Sequence, residues 1–236
     1  MSGADGEGSD AGDDEKADAT DDEKADATET EPGVDDALAA LEAGFGLKDE
    51  RRTGWQLRGV DDPESVAAHS WGVCLLCLAF ADDAGVDPDR ALRLAVVHDL
   101  AEADTGDVPT RADPADEPVC AAEKERRERA AMADLGAPFS AVAEAWEAYE
   151  RRDTAVARFV KDMDLVDMCL QALVYERERR YDPDGTFDSE YDRLDEFFAT
   201  AEPRLSTDVG RRLYDRIRAT YDALVDERTD GDGTTD

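Results

Sequence analysis

The two histidines of the chain, His69 and His98, restrict its fold more than any other feature of the sequence. His98 follows the apolar run ALRLAVV and precedes Asp99, whereas His69 lies 29 residues upstream in another apolar segment. Burying an imidazole beside a carboxylate costs free energy unless the two groups are paired or bind a metal ion. We therefore expect two neighbouring antiparallel helices that bring both histidines to one point.

Helical spacing of apolar residues recurs along most of the chain after residue 33, and the alternation typical of strands is scarce. Gly85 is expected to end one helix, and Asp87 followed by Pro88 to begin the next. The predicted fold class is all-α, a helical bundle that forms a single domain. The predicted helices span about 34–45, 64–84, 88–104, 117–135, 138–150, 153–182, 188–201 and 206–227, with loops at 47–63 and 105–118.

The two ends of the chain lack the side chains needed for a core. The octapeptide DDEKADAT occurs twice in tandem, at 13–20 and 21–28, and contains no large apolar residue. Residues 1–33 are therefore predicted to be a disordered acidic arm of low complexity, and residues 229–236 a disordered tail. The folded domain is expected to span residues 34–228.

Negative charge is spread along the whole chain, whose formal net charge is −34. The arm carries 13 acidic residues and 2 lysines, so the remainder still contributes −23. Repulsion within such a domain is largely screened at molar salt, where the Debye length is about 3 Å. Because arginine also dominates the basic residues, the composition is typical of proteins from salt-accumulating halophiles, with an ordinary acidic protein as the alternative.

This acidity also argues against partners that carry anionic surfaces. Nucleic acid polymers and anionic membranes are bound through clustered cations, so we expect neither as a partner. No run of 18 apolar residues predicts a transmembrane helix, and the acidic N-terminus has no apolar signal-peptide core. The expected location is the cytoplasm.

Several carboxylates could complete a metal site around the two histidines. Asp99 directly follows the second histidine, about 100° around a helix, and Glu102 lies one turn further on. Asp164 interrupts the apolar segment FVKDMDLVDMCLQALVY, in which Asp162 and Asp167 are rivals that we expect to be surface charges. Neutral imidazole and carboxylate both bind divalent ions. The alternative is a buried histidine pair that ordinary hydrogen bonds satisfy.

The pattern of His69, the His98-Asp99 pair and Asp164 resembles the HD superfamily of metal-dependent phosphohydrolases. The segments RTGWQLRGVDDPESVAAHSW, LAVVHDLAEADTGDVPT and FVKDMDLVDMCLQA resemble the HD-domain 5′-deoxynucleotidases, and the similarity covers about residues 36–225. That family removes the 5′-phosphate from deoxynucleoside monophosphates. The resemblance implies an HD-domain helical bundle and, because relatives tend to form dimers, a homodimer.

The resemblance also implies which residues hold the metal and act on the substrate. The family's metal ligands match His69, His98, Asp99 and Asp164. Glu102 matches an acidic residue thought to act on the attacking water or the leaving group. Asp107, in the TGD-x-PT loop, matches a residue that contacts substrate near the sugar, so Glu102 and Asp107 are the expected catalytic residues. A site with two histidines and two aspartates suits one divalent ion: cobalt, manganese, iron, zinc or, less well, magnesium.

The remaining expected contacts are with the phosphate and the sugar. Relatives bind the phosphate through an arginine in the loop before the first motif, and both Arg52 and Arg58 fit that position. Trp55 matches an aromatic residue that shapes the sugar pocket in the family. Lys161, one turn before Asp164, is either a further phosphate partner or a surface lysine.

The expected function is hydrolysis of the 5′-phosphate of (deoxy)nucleoside monophosphates to nucleoside and phosphate. One alternative is another HD-type hydrolase that acts on nucleoside triphosphates or cyclic nucleotides. Such enzymes usually have further histidine ligands, and this chain has no third histidine. The other alternative is a non-catalytic nucleotide-binding module, which is disfavoured because every expected ligand and Glu102 are present.

Overall fold

The computed structural model of the protein describes residues 33–182, 191 and 193–232. Its helices are α1 (Val34–Phe45), α2 (Thr53–Leu57), α3 (Val66–Phe80), α4 (Pro88–Ala95), α5 (Glu102–Thr105), α6 (Ala121–Leu135), α7 (Ser140–Arg151), α8 (Ala155–Glu178), α9 (Asp195–Ala201) and α10 (Asp208–Asp232). Within the described ranges no strand forms, and Arg51 and Ser65 make an isolated antiparallel bridge. The prediction of an all-α domain is confirmed.

Side-chain caps fix the starts of the helices that carry the site. Ser65 accepts a hydrogen bond from the backbone N–H of Ala68, and Thr154 likewise caps α8. Asp87 accepts from two backbone N–H groups at the start of α4, where Pro88 occupies the first helical position, as the sequence predicts. Each such cap is worth about 1 kcal/mol, because it satisfies a backbone donor that has no partner within the helix.

Helix α8 forms the centre of the bundle and packs against α3, α4, α7, α9 and α10. Its buried side chains extend over its whole length, from Val156 to Glu176, and apolar members such as Phe159, Met163 and Cys169 are fully buried. A smaller apolar cluster joins α6 and α7 to the segment before α5 through Val97, Met132 and Trp146. α8 is therefore the one helix in the described residues that reaches most of the fold.

Several boundaries differ from the expected ones. α3 ends at Phe80 rather than at residue 84, α8 ends at Glu178 rather than at residue 182, and α9 begins at Asp195, inside the predicted range 188–201. The helix predicted over 88–104 ends at Ala95, and hydrogen-bonded turns connect it to the short helix α5. The loop predicted at 47–63 contains α2. α10 extends to Asp232, beyond the expected domain boundary at residue 228. The rest of the predicted tail and residues 1–32 of the arm lie outside the described residues.

None of the described helices combines the length and the apolar character needed to cross a membrane.

Candidate metal centre

The two histidines and Asp99 converge, as their pattern predicts. His69 on α3 and His98 after α4 are buried, and their Nε2 atoms lie 3.4 Å apart. Asp99 Oδ2 lies 3.3 Å from His98 Nε2 and 3.6 Å from His69 Nε2. Ligand atoms of all three residues lie within 4.8 Å of one another, which is close enough for one metal ion to reach them together.

Hydrogen bonds at the other ring nitrogens orient both imidazoles. His69 Nδ1 lies 2.8 Å from Asp167 Oδ2, and His98 Nδ1 lies 2.7 Å from the carbonyl oxygen of Ala95. Each partner can only accept, so each Nδ1 carries the proton and donates it. The Nε2 lone pairs of both rings are thereby directed toward the space between the two histidines. Metal-binding histidines are usually oriented in this way by a hydrogen bond at the other ring nitrogen.

Asp164 completes the cluster from α8. Its Oδ1 lies 3.2 Å from His69 Nε2, while Oδ2 accepts hydrogen bonds from Lys161 Nζ at 2.7 Å and from the Tyr149 hydroxyl at 3.2 Å. The residues whose ligand atoms all lie within 4.8 Å of one another are His69, His98 and Asp99. Asp164 is not one of them, and it contacts this group through His69.

The backbone around His98 and Asp99 corrects the expectation that both lie on a continuous helix. α4 ends at Ala95, and the following amides bond to carbonyls three residues back, as in Leu100 N–H to Val97 and Glu102 N–H to Asp99. This tighter winding resembles a 3₁₀ turn rather than an α-helix. The apolar lead-in therefore predicted the burial of His98 correctly and the local conformation incorrectly.

Glu102 lies beside the cluster with an unusual environment for a carboxylate. Its side chain is buried, and Oε2 has no hydrogen-bond partner within the described residues. Arg52 lies 3.8 Å from Oε2 and Lys124 lies 3.9 Å from Oε1, so both cations stand beyond hydrogen-bond distance. Burial and the negative charges of Asp99 and Asp107 raise the pKa of Glu102 well above its usual value.

The donor set fits a divalent cation. Two imidazole nitrogens and the Asp99 carboxylate meet at one point, the Asp164 carboxylate adjoins it beside His69, and a buried oxygen of Glu102 stands nearby without a hydrogen-bond partner among the described residues. Without an ion, burial opposes the charge on His69, but hydrogen bonds to Asp164 and Asp167 raise its pKa to about 10. Burial is likewise outweighed at Asp164, whose pKa is lowered by Lys161 and the histidines. The centre is therefore anionic and holds a proton that a metal ion would displace.

Arg52 points into the cluster, whereas Arg58 points away from it. Arg52 Nη1 lies 3.1 Å from both Asp99 Oδ2 and Asp107 Oδ1. Arg58 is buried and binds Glu196 Oε2 at 2.5 Å and the carbonyl oxygen of Tyr191 at 3.1 Å. Of the two arginines that fit the phosphate-binding position, Arg52 is the one placed at the metal centre.

Asp107 and Trp55 fix the segment that carries Arg52. The Asp107 carboxylate accepts a hydrogen bond from the backbone N–H of Thr53 at 2.5 Å, and the backbone carbonyl oxygen of Asp107 accepts one from the Thr53 hydroxyl. Trp55 is buried, donates from Nε1 to Glu64 and packs against the Phe197 ring with centroids 3.8 Å apart. Both residues line a cleft that Asp99 and Asp164 also line.

This cleft encloses about 200 Å³ and is rich in charged side chains. Its cations are noteworthy in a chain with a net charge of −34, because they provide local positive charge for an anionic ligand. The charged lining residues are the basic Arg52, Arg58, Arg111, Lys124, Lys161 and Arg204 and the acidic Asp99, Glu102, Asp107, Asp164 and Glu196.

Sequence reasoning missed three residues of this region. Asp167 is buried and orients His69, although we expected a surface charge. Asp162 is also buried, and it accepts hydrogen bonds from the backbone and side chains of Ser206 and Thr207 just before α10. Lys124 belongs to a run of mixed charge that reads as a solvated helix face, and no signal in that run distinguishes it. For Asp162 and Asp167, the apolar residues around every side of α8 were the signal that could have indicated burial.

The chain matches the HD domain family over residues 46–206. It is 42% identical to the protein named 5′-deoxynucleotidase HDDC2 of Xenopus laevis over 135 residues, which cover 55% of this chain and 64% of that protein. The protein of the same name from Danio rerio is 32% identical over 213 residues, covering 86% of this chain and 96% of that protein. A crystal structure of the PH0347 protein from Pyrococcus horikoshii aligns with a TM-score of 0.62 and 30% identity, covering 79% and 99% of the two chains.

Proposed function

This chain belongs to the HD domain family, and on that premise we propose that it is a metal-dependent phosphohydrolase that removes the 5′-phosphate from (deoxy)nucleoside monophosphates. The observation that carries the proposal is the cleft in which a buried His/Asp cluster, the unpartnered Glu102 oxygen and Arg52 meet. The name 5′-deoxynucleotidase, given to relatives from frog and zebrafish, supports the choice of substrate.

The proposed cofactor is one divalent metal ion held by His69, His98, Asp99 and Asp164. Cobalt, manganese, iron, zinc and, less well, magnesium suit such a mixed nitrogen and oxygen donor set. A bound ion would supply Lewis acidity toward a phosphoryl oxygen and would lower the pKa of water in the site.

Glu102 and Arg52 have the placement needed for the chemical step. The unpartnered Oε2 of Glu102 is available to accept the proton of the attacking water, or to return a proton to the 5′-oxygen of the leaving nucleoside. Burial and the charges of Asp99 and Asp107 raise the pKa of Glu102, which makes it a stronger base than an ordinary carboxylate. Arg52 contacts Asp99 and Asp107 through Nη1 and offers its remaining N–H donors to the phosphate.

The other expected contacts have supporting roles in this proposal. Asp107 holds Thr53 and Arg52 in position and lies where it can contact the sugar. Trp55 forms part of the apolar wall of the cleft, with Phe197 stacked on it. Lys161 adds positive charge but is already bonded to Asp164, and Arg58 acts as a structural ion pair with Glu196.

The test is phosphate release from a panel of deoxyribonucleoside and ribonucleoside monophosphates, in molar KCl with EDTA, Mn²⁺, Co²⁺ or Mg²⁺. We expect release that requires a metal ion and falls at least 100-fold in Glu102→Gln, because general acid–base groups typically contribute a factor of 10²–10⁴. Glu125→Gln, at an exposed glutamate on α6, is the matched control. Release from triphosphates or cyclic nucleotides alone would favour the other class of HD hydrolase, and no release with metal bound would favour a binding module.

We also propose a cytoplasmic enzyme adapted to high salt, with no nucleic acid polymer and no membrane as partner. The excess of acidic side chains supports each part of this statement, because it opposes binding to polyanions and is best tolerated where salt screens it.

A homodimer completes the proposal. Helix α3 exposes Trp71, Leu75 and Leu78 to solvent at 69%, 50% and 59%. These positions follow one face of the helix, and an exposed apolar stripe of this kind is typical of an interaction surface. We propose that a second copy of the chain covers it.

A further inference from the structure

The end of the cleft away from the metal cluster has a distinct composition. We call this end the distal wall and define it by Arg58, Arg111, Glu196, Thr200 and Arg204, all of which line the cleft. Arg58 and Arg52 lie at opposite ends of α2, so their backbones are separated by roughly 9 Å, given a rise of about 1.5 Å per residue. This separation is comparable with the length of a nucleoside monophosphate.

Hydrogen-bond acceptors at the distal wall are already occupied by arginines. Both oxygens of Glu196 are engaged, Oε1 by Arg111 Nε and Oε2 by Arg58 at 2.5 Å and Arg111 Nη2 at 3.1 Å. The carbonyl oxygens of Thr200 and Arg111 accept from Arg204 at 2.6 and 3.1 Å. Each of these acceptors in the described part of the wall therefore already faces at least one guanidinium group.

Donors, in contrast, remain available. A guanidinium has five N–H groups, and the bonds above use two of those on Arg111 and two of those on Arg204. The Arg111 side chain retains 16% exposure and lines the cleft. The wall carries three arginines against one glutamate, and a ligand group that can accept hydrogen bonds is the one that it suits.

The middle of the cleft suits a sugar and a base. Trp55, Phe197, Leu165 and Pro109 also line the cleft. Trp55 lies midway between Arg52 and Arg58 in the chain, and Pro109 lies midway between Asp107 and Arg111. A nucleotide whose phosphate lies at the metal cluster would pass over this apolar stretch and present the edge of its base to Arg111 and Arg204.

Resting on the function proposed above, we propose that the distal wall selects nucleobases that present a carbonyl oxygen over those that present an amino group at the same ring position. A carbonyl accepts from the unused guanidinium donors of Arg111 and Arg204, whereas an amino group meets those donors and must compete with the arginines for the neighbouring acceptors. Arginine reads the acceptor edge of guanine in the same way in other proteins. Arg111 is the residue that determines the selection.

Two pairs of substrates isolate this effect, since the members of each pair differ in an oxo or amino substituent and in the protonation of the adjacent ring nitrogen. They are deoxyinosine against deoxyadenosine monophosphate, and deoxyuridine against deoxycytidine monophosphate. We expect kcat/KM to favour the oxo member about tenfold in each pair, which is within the range of discrimination that one good side-chain contact to a base edge gives. In Arg111→Gln, whose amide both donates and accepts, the preference should fall to near unity. Arg126→Gln, at an arginine with 68% side-chain exposure on α6, should leave it unchanged.

The outcomes separate this inference from the function on which it rests. If all four nucleotides are hydrolysed with equal kcat/KM, the nucleotidase activity stands and the inference is overturned. If none is hydrolysed, the proposed activity fails, and calorimetric binding of the same four nucleotides to the Mn²⁺-loaded protein still tests the wall. Equal dissociation constants within each pair, or a preference that survives in Arg111→Gln, would overturn the inference.

Discussion

Replacing Gly72 by alanine tests how the metal centre is oriented, because this position of α3 faces Asp167 on α8. A Cβ atom at residue 72 would lie 2.1 Å from Asp167 Oδ1 and 3.0 Å from its Cγ, far inside contact distance. Asp167 is buried and cannot retreat freely, so Gly72→Ala should displace the carboxylate from His69 Nδ1. Glycine is thus required here for close approach of α3 and α8.

Two effects of known size should follow. Loss of a carboxylate that orients a histidine ligand typically weakens metal binding by a factor of 10–100, which corresponds to about 1.4–2.7 kcal/mol. Overpacking between two buried helices adds a destabilisation of about 1–3 kcal/mol. Calorimetric titration with Mn²⁺ measures the first effect, and urea unfolding in EDTA measures the second.

Gly46→Ala is the matched control, because a Cβ there meets nothing within 4 Å and the backbone is already helical. A double-mutant cycle with Asp167→Ala sharpens the test: once the carboxylate is gone, Gly72→Ala should have little further effect on metal binding. If Gly72→Ala binds Mn²⁺ as tightly as the wild type, Asp167 does not orient His69 in the way argued above.

Four further outcomes are expected. Asp162→Ala should lower the free energy of unfolding in urea by about 2–4 kcal/mol, because four partly buried hydrogen-bond donors before α10 lose their acceptor; a loss below about 0.5 kcal/mol would contradict this. In EDTA, the raised pKa of His69, about 10 against 6.5, means that its protonation stabilises the fold below pH 6.5 and that this stability is lost as the pH rises toward 10. Melting temperatures over that interval should fall more steeply for the wild type than for His69→Asn, and parallel profiles would refute the assignment. Raising KCl from about 0.1 M to about 1 M shortens the Debye length from about 10 to about 3 Å and should raise the melting temperature, whereas a flat response would remove the case for salt adaptation. Trp71→Glu should convert a dimer to a monomer by light scattering in molar KCl, and a monomeric wild type would rule out the proposed interface.

The sequence predicted the parts of the centre that depend on rare residues in apolar surroundings. His69 and His98 are the only histidines in the sequence, so their apolar surroundings were enough to predict that they lie together. Asp99 and Glu102 were then predicted from their spacing to His98. The helix start at Asp87 followed from local capping chemistry, which involves only neighbouring residues.

The parts that the sequence did not predict depend on partners far along the chain. Asp167 and Asp162 read as surface charges because their burial is possible only with Gly72 and Gly210 opposite them, and no local pattern links those positions. A Cβ at Gly210 would lie 2.5 Å from Asp162 Oδ2, which is the same kind of close approach. The turn after Ala95 was missed for a related reason, since the apolar spacing of an α-helix and of a tighter turn is similar over so few residues.

Helix α8 has a consequence for how this protein can change. Within six residues it carries a proposed metal ligand, the carboxylate that orients His69 and the carboxylate that anchors α10: Asp164, Asp167 and Asp162. Inserting one residue among them would rotate the following side chains by about 100° and break these contacts together. The metal centre therefore cannot be altered on α8 independently of the contacts that hold the helix in the fold. In a lineage or a directed-evolution experiment, variants that alter the activity through this helix should also carry a cost in folding, and compensating changes should appear on α3 and α10.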